Sequence, residues 1–287
     1  MKSQTFTVPP ILGCLQAAEK YLLENNLSSQ VQWEPCNEEQ IRFVKEFVPL
    51  MKDLPLLDNV LKSIADMNPA VINQWLKENG FNIRLPEQIS PDAFSVASIL
   101  KVIIEWMKVG TKSTVRYQNQ NYSAVKMKQE DGVVVLGYSF NNPTVCLKTK
   151  SDEHVFITMT DKQPKNSTEV AELISNQPDD LKPNFCYDEV TFPMVKYDQE
   201  IDLSWICGLR TESWHISHAL QQTKFEMDEV GAKVESAMAM TMFRSLVSSS
   251  NRKLFIDEPF LLWITRHGCS IPIFGGYFAE DSWIKSE

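Results

Sequence analysis

The spacing of apolar residues divides the chain into an early part with helical periodicity and a later part with strand periodicity. Residues 12–23 carry apolar positions at helical spacing among good helix formers. Over 38–51 the pattern predicts a helix with Ile41, Val44, Phe47 and Val48 on one face, and Asn37 precedes two glutamates as its cap. Residues 54–67 and 69–78 give two more predicted helices, the second opened by Asn68 and a first-turn Pro69. The run 95–109 (SVASILKVIIEWMKV) is long and apolar, and fits a buried helix or a central strand. From residue 115 onward the period changes to two. Residues 122–128 alternate, 133–140 form a short apolar run, and 145–150 and 154–160 alternate again. A helix over 168–176 capped by Ser167 or Thr168, and strands over 189–196, 260–264 and 271–278, complete the pattern. Helices first and strands later predict an α+β architecture.

The segment 224–245 (KFEMDEVGAKVESAMAMTMFRS) is the most informative stretch. It starts with strand-like alternation, meets one glycine, and runs through small and apolar residues to a lone basic side chain, Arg244. Val230, Val234, Met238 and Met242 sit four apart, which suits a helix equally well. A strand feeding a long exposed loop is the second reading, and such loops on a rigid body usually carry function.

Composition narrows the classes. With 28 Lys and Arg against 37 Asp and Glu, the chain of 287 residues carries a net charge of −9, which argues against a nucleic-acid partner. An apolar content of 43% supports a packed core. The six cysteines form no CxxC pair, so no structural zinc is expected, and they read as reduced thiols of an intracellular chain. No run of 18 apolar residues suggests a membrane span, and the N-terminus is a poor signal peptide, so a cytoplasmic location is expected, with an extracellular one open. The sequons at Asn26, Asn121 and Asn166 then read as chance matches.

Catalytic signatures are missing: no GxSxG, Walker loop, HExxH or GxGxxG occurs. His215 and His218 lie near Glu212 but lack a third ligand, and read as exposed or capping residues. His267-Gly-Cys-Ser270 reads as a turn between two strands, and Asp179-Asp180 as a solvated loop. No enzyme, cofactor or metal is expected.

Several segments together resemble the serpin family. Ile72-Asn73-Gln74-Trp75-Leu76 is similar to its IN-x-W-V helix, and the run 93–110 takes the place of its long central strand. Val125-Lys126-Met127 resembles its V-x-M step, 155–160 its apolar strand, and 190–209 its L-P-K-F stretch. The segment 225–237 matches its last sheet-A strand and hinge, Pro259-Phe-Leu-Leu its P-F-L-F, and 271–275 its closing P-L-F-x-G, all collinear over about 70–287. The resemblance implies a single serpin-like domain over 1–287, helices with mixed and antiparallel sheets, a reduced helical part over 1–70, and an exposed reactive-centre loop at about 231–254. Truncated serpin-like chains of this kind occur in some large DNA viruses.

That resemblance implies a mechanism in which a protease acylates itself on the loop, which then inserts as a new strand of the central sheet and traps the enzyme. Gly231 would be the hinge, with Ala232, Val234, Ser236 and Met238 facing inward and Lys233, Glu235 and Ala237 outward. By the family's count the cleaved bond is Ser245-Leu246, and a hinge one residue shorter makes it Arg244-Ser245. The implied partner is a trypsin-like or elastase-like endopeptidase, met by a monomer. Gln221 stands where the family has His in the region that opens the sheet, and Lys112 where it has Trp, with Trp106 lying just before. The resemblance thus allows two functions: an inhibitor or decoy, or a non-inhibitory binding protein that keeps the fold as a scaffold.

Overall fold

The computed structural model describes residues 1–86, 94–137, 143–177, 187–232, 252–270 and 272–286. A short strand β1 (Gln4–Phe6) leads into α1 (Val8–Glu24), whose prolines sit in the first turn, where no intrahelical amide bond is lost. α2 (Glu38–Glu46) follows, capped by Asn37, which accepts from the Gln40 amide. A 3-10 segment (Val48–Leu57) leads to β2 (Leu61–Asp66) and α3 (Pro69–Glu78), the latter capped by Asn68. Then come β3 (Ser95–Leu100), β4 (Ile104–Glu105), β5 (Thr111–Tyr117), β6 (Gln120–Lys128), β7 (Val133–Leu136), β8 (Thr144–Lys148), β9 (Glu153–Met159) and α4 (Ser167–Ser175). The remainder is β10 (Glu189–Pro193), β11 (Val195–Asp202), β12 (Arg210–Thr211), β13 (Trp214–His215), β14 (Leu220–Met227), β15 (Gly231–Ala232), β16 (Lys253–Phe255), β17 (Phe260–Arg266) and β18 (Phe274–Phe278).

The body is an antiparallel six-stranded sheet in the order β1-β18-β17-β9-β8-β7. β17 is central and covered on both faces, which is why its first five residues are all apolar and buried rather than alternating. A four-stranded sheet, β16-β10-β6-β5, is mixed: β16 runs parallel to β10 and the other pairs are antiparallel. Helices with mixed and antiparallel sheets are the α+β architecture expected above.

Among the described residues two longer antiparallel ribbons, β2–β3 and β11–β14, and two two-residue pairs, β12–β13 and β4–β15, complete the sheets. The ribbon β11–β14 stands on the six-stranded sheet through aromatic contacts. Phe225 stacks on Phe274 at 4.9 Å and on Phe278 at 5.1 Å, and Tyr197 meets Phe278 edge-on at 6.0 Å. The ribbon β2–β3 instead rests on α1, where Gly13 faces the hydroxyls of Ser63 and Ser98 so closely that a Cβ would lie within 2.7 Å of both. α3 covers the other side of β3, packing Ile72 and Leu76 on Ala97 and Ile99.

Four expectations are corrected. Residues 54–67 are not a helix: Pro49 and Pro55 confine the backbone to 3-10 turns up to Leu57, and pairing with β3 makes 61–66 a strand. The face of α2 is also different. Ile41 is 54% exposed, whereas Gln40 and Phe43 are buried. Gln40 is a polar hub, its amide nitrogen donating to the carbonyls of Trp205 and Cys207 and its oxygen accepting from the Cys36 amide, so a face count of apolar residues misses it. The α4 cap is Asn166, which accepts from Glu169 N, rather than Ser167 or Thr168. The long run 95–109 resolves into two short strands with residues 101–103 between them.

A buried ion pair fastens the 3-10 segment to the body. Arg266, whose side chain is 11% exposed, donates through Nε to Glu153 at 2.9 Å, and through Nη1 to the Leu56 carbonyl at 2.9 Å and Asn59 Oδ1 at 2.7 Å. Arg266→Ala strands the Glu153 carboxylate, 4% exposed, without its cation. It is expected to cost about 3–5 kcal/mol of unfolding free energy in urea titrations, whereas the paired Arg266→Met, Glu153→Leu variant recovers most of that.

Candidate functional site

Sequence and geometry converge where β14 ends. Asp228 follows Met227, and its Oδ1 accepts from Val230 N at 2.8 Å and Gly231 N at 3.1 Å. Asp228 N donates to the Gly231 carbonyl at 3.0 Å, so the chain reverses over four residues. The turn is clamped from the side. Trp106 donates through Nε1 to the Asp228 carbonyl at 2.9 Å and through its backbone N to the Val230 carbonyl at 3.1 Å. Gly110 N donates to the Glu229 carbonyl at 2.7 Å, and Lys112 Nζ lies 3.0 Å from the Glu229 carboxylate. Hydrogen bonding to its own backbone amide, together with Lys112, holds the Glu229 carboxyl below its usual range.

Beyond the turn, β15 pairs antiparallel with β4, Gly231 opposite Glu105 and Ala232 opposite Ile104. Gly231 has φ 152°, and a Cβ there would lie 2.1 Å from the Ile104 carbonyl oxygen. Only glycine lets the two backbones approach this closely. The chain leaving β14 has therefore turned back toward the gap between the ribbons.

That gap is a slot. Among the described residues, β3 pairs only with β2 and β14 only with β11, so no ladder joins the two ribbons. α1 forms the floor. The segment after α3 straps over the top: Asn82 N donates to Gln222 Oε1 at 2.8 Å, Lys224 Nζ donates to the Gly80 carbonyl at 2.9 Å, and the same ammonium lies 5.9 Å from the Phe81 ring centroid. The slot holds a cavity of about 380 Å³. Gln221, 7% exposed, donates through Nε2 to the Thr7 carbonyl at 3.2 Å. Its Oε1 and the Thr7 hydroxyl are buried with no hydrogen-bond partner among the described residues.

Of the residues singled out from sequence, Gly231 and Ala232 form β15, Lys112 contacts the hinge turn, and Gln221 lines the slot. Val234, Ser236, Arg244, Ser245 and Leu246 lie outside the described residues. The chain is next described at Arg252 and Lys253, where β16 forms the far edge of the four-stranded sheet from β5, the strand that follows Gly110. From sequence, Asp228 reads only as an acidic residue, with Glu229, at the start of the hinge segment, and Trp106 only as preceding Lys112. Trp106 is 1% exposed and grips the turn directly. The Asp-x-x-Gly spacing was a readable signal for the turn, whereas nothing local marks Trp106 as its partner. His215 lies in β13 and His218 is exposed, bonded to the adjacent Ser217, so they share no helix face. Among the described residues no cluster of His, Cys, Asp or Glu could hold a metal, and no helix is long and apolar enough to cross a membrane.

The hinge geometry makes two measurable predictions. Gly231→Val is expected to break the β15–β4 pairing, so the amides of 228–232 lose protection in hydrogen exchange while β17 keeps its own. The Glu229 contribution has a sign. Its folded pKa lies below the ordinary 4.5, so the stabilisation is complete above about pH 4.5 and fades as pH falls through the folded value. Hinge protection should weaken on acidification, and Glu229→Gln should reduce that pH dependence.

No family model matches the chain, and no curated sequence matches at a significant level. Solved structures do match. Maspin aligns with a TM-score of 0.58 at 14% identity over 96% of this chain and 92% of that one. Thyroxine-binding globulin in complex with thyroxine aligns at 0.55, with 11% identity over 96% and 92%. Mouse protein-Z dependent protease inhibitor aligns at 0.54, with 14% identity over 96% and 90%. At these identities the likeness establishes architecture alone, and the chain has the serpin fold.

Proposed function

We propose that this chain is a serpin-like inhibitor or decoy of an endopeptidase, acting through residues 233–251. The single observation that carries the reading is the hinge: Gly231 and Ala232 already lie antiparallel to β4 at the mouth of an unpaired slot. Continuing the pairing of Asp228 with Gly231 along β14 would set Ala232 opposite Met227, Val234 opposite Phe225, Ser236 opposite Thr223 and Met238 opposite Gln221. Residues directly opposite in a ladder share a face, and Gln221, Thr223, Phe225 and Met227 are the buried positions of β14. The small and apolar Ala232, Val234, Ser236 and Met238 would then face the core, and Lys233 and Glu235 the solvent. Burying either charge instead would cost several kcal/mol. The strap over 79–85 must lift for the strand to pass, which makes Lys224 and Gln222 part of the opening step.

The fold makes an endopeptidase the natural partner class, and one solved structure of the same fold is a protease inhibitor by name. Arg244 suits a trypsin-like pocket with cleavage at Arg244-Ser245, and Ser245-Leu246 suits an elastase-like one.

A protease panel tests this. The expected result is a complex that survives denaturing electrophoresis, with mass spectrometry placing the released peptide's first residue at Ser245 or Leu246. Gly231→Val should shift the outcome from complex to cleaved chain. Cleaved chain alone from the wild type with every protease would sink suicide inhibition and favour the scaffold function.

A further inference from the structure

The slot carries features besides its unpaired strand edges. Its floor and walls are apolar: Ile11, Leu15, Trp33, Leu76, Phe81 and Ile99 among them. At one point in this apolar lining, Gln221 Oε1 and Thr7 Oγ1 are buried without partners among the described residues. Leaving such atoms unpaired is costly, and a ligand N–H or O–H donor would satisfy them. The mouth is cationic. Arg84, Lys101 and Lys224 line it, and among the described residues no Asp or Glu does, in a chain whose net charge is −9. Lys101 Nζ contacts the neutral Asn79 Oδ1 at 3.4 Å, while Lys224 is shared between the Gly80 carbonyl and Asp198 at 3.4 Å. Gln221 and Lys224 are separated along β14 by about 10 Å at ordinary strand rise. A volume of about 380 Å³ is in the range of small-molecule sites.

We infer that this cavity is a binding site for a single-chain anionic amphiphile. Its apolar chain lies on α1 between β3 and β14, its anionic end meets the lysines and arginine at the mouth, and a donor group some 10 Å away satisfies Gln221 and Thr7. Binding does not depend on the loop-insertion reading, because every group named belongs to the described body of the protein and is read on the intact chain.

The probe is dansylaminoundecanoic acid, which carries a sulfonamide N–H, a methylene chain and a carboxylate. Titrated into the intact protein, it should give saturable, blue-shifted emission that dodecanoate displaces. Val96→Phe enlarges a cavity-lining side chain on the face of β3 that meets α1 and should weaken binding roughly tenfold or more. Lys101→Glu changes only an exposed side chain, so it folds even where Val96→Phe does not, and should weaken binding about threefold to tenfold. Absence of saturable binding, or binding that no folded variant of these two alters, overturns the site. Loss of protease inhibition with binding intact leaves the site standing.

Discussion

The structure turns on hydrogen bonds that are not made. β3 and β14 each satisfy one edge, through β2 and β11, and among the described residues neither pairs across the gap. An unpaired sheet edge is a template for another strand, and proteins ordinarily cover or charge it. Here the gap persists because each ribbon has its own foundation. The β11–β14 ribbon is fixed by Phe225 against Phe274 and Phe278, and the β2–β3 ribbon by the close approach of α1 at Gly13. These supports position the two edges independently, so sheet closure is not needed to bury either ribbon's apolar face. The 79–85 strap bridges the ribbons with side-chain contacts that are individually weak and exposed.

The hinge supplies what the slot lacks. Asp228, Trp106, Gly110 and Lys112 hold a reversal that turns the outgoing chain toward the gap, and Gly231 permits the first backbone contact with β4. The proposed function rests on extending that contact. Each added ladder bond contributes about 1 kcal/mol net, and small side chains at alternate positions avoid the cost of buried charge. Cavity and hinge also share a wall, since Gln221 sits in the strand whose end forms the turn.

Much of this was legible in the sequence, because the strongest periodic segments were also the ones that tertiary packing leaves undisturbed. β6, β8, β9 and β17 fall close to their alternating or apolar runs, and the Asn37 and Asn68 caps were readable from local chemistry. The 61–66 strand was not legible. Its composition suits a helix, and only pairing with β3, some 30 residues downstream, makes it extended. The inward face of α2 was hidden for a related reason: Gln40 is buried by hydrogen bonds to the distant carbonyls of Trp205 and Cys207 and from the nearby Cys36 amide, which no apolar count registers. At the hinge, Gly231 was visible as a lone glycine, while the role of Trp106 depends on a partner more than 100 residues away.

The central claim is that the slot can accept a strand and that the molecule becomes more stable when it does. The most direct measurement is thermal unfolding before and after limited proteolysis within 233–251, with the fragments left together. Several new ladder bonds should raise the melting temperature by about 10 °C or more. An unchanged or lower melting temperature in the cleaved protein would contradict the account.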